Sequence, residues 1–150
     1  MNYRNLTFAR GHVMDKFVHI ELMINSIISA HFLGRVETDF VVNILNNEMS
    51  SFGFKKTVLK QIMDERNYNQ EFQNLEKLNR IRNLFGHGSL NLRKGTNIAA
   101  VDAEIWFLDP KKVGQPADPA ANLKTFDELF TIVSNWLIKV GKDKGVPYPE

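Results

Sequence analysis

Lys77-Leu78-Asn79-Arg80-Ile81-Arg82-Asn83-Leu84-Phe85-Gly86-His87-Gly88 reads as the end of a helix. Leu75, Leu78, Arg82 and Phe85 recur at helical spacing, and Gly86 and Gly88 are stop signals. The spacing predicts a helix from about Asn69 to Phe85, with His87 held between two glycines at its C-terminus. Glycine beside the histidine leaves room for a ligand to come close. Residues five apart on an ideal helix point roughly 140° away from one another, at 3.6 residues per turn. Arg82 and His87 of one chain therefore converge in one of two ways. Either the glycines turn His87 back, or a second copy of the chain supplies the partner groups.

Upstream, residues from about Leu6 to Phe32 predict a long helix. Phe8, Val13, Phe17, Ile20, Ile24, Ile27, Ile28 and Phe32 form its apolar stripe. Gly11 weakens the first turns without breaking them, and Gly34 closes the helix. A short helix follows with Thr38 as its N-cap and Phe40, Val41, Ile44 and Leu45 apolar. Ser50 or Ser51 starts a third, through Phe54, Val58, Leu59, Ile62 and Met63.

Beyond Gly88 the pattern changes to β-branched and aromatic residues in near-alternation around Ala103 to Leu108. This predicts one or two strands, as a small hairpin with residues 91–97 as its turn region. Residues 110–122 are rich in proline, glycine and alanine and read as a loop. Thr125 or Asp127 opens a last helix through Phe126, Leu129, Phe130, Val133, Trp136, Leu137 and Val140, which Gly141 ends. The expected fold is mainly α: a helical bundle of about five helices, with a small β-hairpin or strand insertion after the motif helix. Residues 1–141 form a single domain, and 142–150 a flexible tail. Trp106 and Trp136 are expected in the core.

Composition narrows the chemistry. The chain of 150 residues has no cysteine, which excludes disulfides, thiolate catalysis and cysteine-ligated zinc. A net charge of +2 permits an RNA partner without demanding one. The opening segment MNYRNLTFAR lacks the apolar core of a signal peptide. The most apolar long stretch, Phe17 to Leu33, contains His19, Glu21, Asn25 and His31, a set that a membrane span would not readily accept. A soluble, cytoplasmic protein with no membrane partner is expected. His12, Asp15 and His19 share a helix face. Such a set can be a metal cluster, but it reads as a solvated polar surface, since no fourth ligand or known spacing accompanies it. No metal and no cofactor are expected.

Arg82-Asn83, three residues, then His87, at a helix end late in a small helical domain, resembles the HEPN superfamily. The hallmark of that superfamily is an arginine followed shortly by a histidine, often with a polar residue after the arginine. The preceding order is similar too: a long helix with Glu21 and Asn25 facing inward, then helices containing FVVNIL and SFGFKKTVLKQIMDE. The resemblance covers most of the chain. It implies a metal-independent endoribonuclease working as a homodimer, whose two motifs line one cleft. His87 would be general acid or base, Arg82 would stabilise phosphate, and Asn83 would be an auxiliary polar group. Glu21 and Asn25, four apart on one helix face, would orient Arg82 or His87 from behind. Arg80, Arg93 and Lys94 flank the motif and would guide an RNA backbone, with Lys55, Lys56 and Lys60 as a further basic patch. A toxin or phage-defence component is one such role, with an antitoxin or other protein as partner.

Blander readings stand beside these. Arg82 pairs with a carboxylate such as Glu21, His87 complements the helix dipole, and Glu21 and Asn25 satisfy each other. HEPN domains also serve as non-catalytic modules. The second functional reading is therefore an interaction module that binds a partner protein, a nucleotide or RNA.

Overall fold

Apolar residues at 6, 9, 13, 17, 20, 24, 27 and 28 follow the helical period and are all buried. They give the first helix its inner face. The computed structural model describes residues 1–47, 50–63, 67–92, 105–108 and 116–148. Among these the chain is mainly α. Its helices are α1 (Tyr3–Leu33), α2 (Thr38–Phe40), α3 (Phe52–Ile62), α4 (Asn69–His87) and α5 (Pro119–Asp143). A π-helical turn, Val41–Leu45, continues α2. A small antiparallel sheet follows the motif helix, in the order β1 (Ser89–Leu92), β2 (Ile105–Leu108), β3 (Pro116–Ala117). The third strand goes beyond the expected hairpin. Most of the expected turn region, residues 93–97, lies outside the described residues.

Two compact units divide the chain. The first takes Met1–Phe17 and Glu76–Phe130. Its core includes Val13, Phe17, Leu78, Phe85, Phe107 and Phe126. The rings of Phe85 and Phe107 meet edge-on, with centroids 4.9 Å apart. That contact ties α4 to β2, which pairs with β1 from Ser89 opposite Leu108 to Leu92 opposite Ile105. Side chains alternate faces along β2: Phe107 is buried, whereas Leu108 is exposed. Trp106, expected in the core, is half-buried.

The second unit takes Val18–Leu75 and Thr131–Glu150. Trp136 is buried there, edge-on to Phe72 at 5.3 Å. Gly34 ends α1 with φ +73 and donates its N–H to the Ala30 carbonyl at 3.0 Å. Few side chains adopt that left-handed backbone as readily as glycine. The Ser29 hydroxyl, fully buried, donates to the Arg35 carbonyl and accepts from the Glu37 N–H at 2.8 Å. It secures the turn into α2. Ser51 caps α3 by accepting from the Phe54 N–H.

Several element details differ from the sequence reading. Phe8 and Phe32 are 68% and 60% exposed. Phe8 lies one position, about 100° of helix, off the buried stripe. Phe32 sits in the last turn with its ring edge-on to His31. Glu37, not Thr38, occupies the N-cap position of α2. The last helix begins at Pro119, well before Thr125. Proline suits a first helical position because it has no N–H to leave unbonded, and Asp118 accepts from the Ala120 N–H at 2.9 Å. At its other end α5 runs past Gly141 to Asp143. Gly145, with φ +76, is the actual stop. Its N–H meets the Lys142 carbonyl, the Val146 N–H meets the Gly141 carbonyl, and Val146 is buried.

Gly141 is needed for a different reason. A Cβ there would lie 2.3 Å from the Tyr148 hydroxyl oxygen. Gly141→Ala is expected to lower stability by roughly 1–3 kcal/mol, the usual cost of overpacking, read as a shifted urea midpoint. Burial pushes the Tyr148 hydroxyl above its ordinary pKa. The neutral form is therefore favoured in the folded state. Its contribution is fully present below about pH 10 and lost as pH rises through the folded value. Tyr148→Phe is expected to flatten the alkaline loss of stability in a pH series of urea melts.

Candidate functional site

Helix α4 carries the motif to its last residue. Arg82 is half-buried, Asn83 is exposed, and His87 is exposed at the C-terminal end. The helix passes through Gly86 without interruption, so the glycines do not turn His87 back towards Arg82. The divergence of roughly 140° stands within one chain. The Arg82 guanidinium lies over the Phe17 ring, 4.4 Å from its centroid. Such stacking favours a planar cation and fixes its plane.

The two glycines are not equivalent. A Cβ on Gly86 would meet the Met14 sulfur at 3.8 Å, an ordinary contact. A Cβ on Gly88 would lie 2.2 Å from the Leu84 carbonyl oxygen and 3.2 Å from the Phe107 ring. The Gly88 N–H donates to that same Leu84 oxygen at 2.8 Å. Gly88 thus closes the helix where no side chain fits, and β1 begins at the next residue.

Arg10, far from the motif along the chain, reaches this end of α4. Its Nη2 donates to the Gly88 carbonyl at 3.3 Å, and its guanidinium sits 5.8 Å from the Phe107 ring centroid. The bond places a second arginine one residue from His87. Arg10 and Gly88 are 78 positions apart, so no local pattern links them.

A second polar group was also hidden. His12 Nε2 lies 2.7 Å from Asp127 Oδ1, and the Lys16 ammonium donates to the same oxygen at 2.8 Å. His12, read as part of a solvated face, therefore has a carboxylate partner contributed by α5. Among the described residues no group of three or more histidines or acids is placed to hold a metal ion. Burial would push the Asp127 carboxyl up, but the hydrogen bonds from Lys16 and His12, with their charges, outweigh it. The carboxyl is held below its ordinary range.

Glu21 and Asn25 belong to the second unit. Glu21 Oε1 lies 3.9 Å from the Lys55 ammonium. Asn25, fully buried, donates from Nδ2 to Asn46 Oδ1 at 2.7 Å. Lys55 corrects the basic-patch reading: it is 4% exposed and so cannot present its charge at a surface. The Lys60 ammonium lies 5.4 Å from the Phe72 ring centroid. Arg80 is exposed on α4, while Arg93 and Lys94 lie outside the described residues. No helix among the described residues is long and apolar enough to cross a membrane.

Comparison with family models, with curated proteins and with solved structures finds no match to this chain.

Two measurements check this geometry. Gly86→Ala is expected to be neutral or to stabilise by about 0.5–1 kcal/mol, since alanine is the better residue inside a helix. Gly88→Ala is expected to destabilise by roughly 1–3 kcal/mol through the clash with Leu84. Equal urea midpoints for the two variants would contradict the contrast. For Asp127, a depressed carboxyl contributes stability above its unfolded value near pH 4, and that contribution is lost as pH falls through the folded value. Asp127→Asn should therefore be less stable than wild type at neutral pH and show a shallower acid limb.

Proposed function

We propose that the chain is a metal-independent endoribonuclease of HEPN type, acting as a homodimer. The observation that carries this reading is an exposed His87 at the end of α4, on the same helix as Arg82 and diverging from it. The two side chains need a second copy to form one site. Met14, 39% exposed and beside Gly86, supplies apolar surface next to the motif, which suits such a contact.

The chemistry follows from the groups. His87 of one copy takes the proton of a ribose 2′-hydroxyl, whose oxygen attacks the adjacent phosphorus. The P–O5′ bond breaks as the O2′–P bond forms. The departing 5′-oxygen takes a proton from the imidazolium of the second His87. The products are a cyclic phosphate and a 5′-hydroxyl end. Histidine suits both proton transfers because it titrates near neutrality. Arg82 grips the phosphate oxygens as their charge grows. Asn83, exposed one residue on, donates a hydrogen bond to the backbone. Arg10 holds the Gly88 carbonyl and so steadies the backbone that carries His87. Arg80, Arg93 and Lys94 attract the RNA. Dependence on a 2′-hydroxyl selects RNA over DNA. A cytoplasmic toxin or phage-defence component, restrained by an antitoxin or other protein partner, fits this activity.

His87→Ala is expected to lower cleavage of mixed RNAs by about 100-fold or more, within the range of general acid–base catalysis. Its urea midpoint should stay close to wild type, because His87 is exposed. Equal cleavage by the two purified proteins would sink the reading. Cleavage should also persist in excess chelator, and its loss there would point to a metal-dependent nuclease.

A further inference from the structure

The second unit contains a cavity of about 400 Å³ lined by Lys55 and Glu21, whose charged groups form an ion pair 3.9 Å apart. We propose that it binds a free α-amino acid with an aliphatic side chain. This site uses no residue of the Arg82–His87 motif and does not depend on the ribonuclease reading.

Lys55 is the starting point. Its side chain is 5% exposed, yet the residue lines the cavity. Among the described residues it is ion-paired with Glu21, whose Oε1 is 3.9 Å away, beyond hydrogen-bonding distance. No hydrogen bond to the Lys55 ammonium occurs among the described residues. A ligand carboxylate in the cavity would add the charge-assisted hydrogen bonds that the loose pair with Glu21 lacks. Two further groups favour an anionic group at that end. Ser51 caps α3 here, so the positive end of that helix borders the cavity. Asn46 also lines it. The buried Asn25 engages Asn46 Oδ1 and leaves the Asn46 Nδ2 as a donor.

Glu21 decides against a simple anion. Phosphate beside Lys55 would also sit next to the Glu21 carboxylate and be repelled by it. A zwitterion satisfies both charges, with its carboxylate on Lys55 and its ammonium on Glu21. Val18, Leu22 and Phe52 provide an apolar wall for an aliphatic side chain. The volume falls within the range of small-ligand sites.

The test is calorimetric titration of the full chain with L-leucine, with 4-methylpentanoate, 3-methylbutylamine and inorganic phosphate as separate arms. Saturable binding of L-leucine is expected, with Kd between about 0.01 and 1 mM. Each of the other three should bind at least about tenfold more weakly. Glu21→Gln and Lys55→Met should each weaken L-leucine by about tenfold or more, with helix content checked by circular dichroism. If Lys55→Met does not fold, Glu21→Gln alone decides, because Glu21 is partly exposed. The proposal is overturned if L-leucine gives no saturable heat up to ~10 mM. It is also overturned if phosphate or 4-methylpentanoate binds as tightly as L-leucine, or if Glu21→Gln leaves affinity unchanged.

Discussion

The close approach of the Gly88 backbone to Leu84 is the constraint on which the motif region depends. The Gly88 N–H bonds the Leu84 carbonyl, and no Cβ fits between that oxygen and the Phe107 ring. The carbonyl of the same glycine accepts from Arg10. One residue without a side chain therefore ends α4, starts β1 and receives a bond from α1. His87, immediately before it, is held at a defined helix terminus and still exposed. Exposure and fixed position together are what a proton-transfer group requires.

Continuity of α4 through Gly86 has a chemical consequence. A flexible break would have let one chain fold its imidazole back over its own guanidinium. An unbroken helix keeps the two apart in angle, while Phe17 beneath Arg82 limits where the guanidinium plane can lie. In the proposed ribonuclease that divergence is the reason for a second copy. Near the motif other charges are spent locally: Asp127 draws Lys16 and His12.

Periodicity made the helices readable from sequence. The buried stripe of α1, the Ser51 cap and the Gly34 stop each rest on contacts within a few residues, where pattern and physics coincide. The start of α5 is not legible, because Pro119 and Asp118 sit in a stretch whose proline and glycine content resembles a loop. Gly141 looked like a stop, but the requirement there is for space beside Tyr148, and only the tertiary structure shows that. Hydrophobicity alone points Phe8 inward, although its angle places it outside the stripe. For the candidate site, Arg82, Asn83 and His87 could be picked out by spacing. Arg10 and the His12–Asp127–Lys16 group could not, since each joins residues from distant parts of the chain.

In the proposed ribonuclease two copies of the chain act on one phosphodiester, each giving its His87. Titrating wild-type chain with His87→Ala chain, with subunit exchange allowed, measures that dependence. A dimer with a single His87 lacks either the base or the acid, so RNA cleavage should fall with the square of the wild-type fraction. A fall in simple proportion to that fraction, despite demonstrated exchange, would mean that one copy suffices.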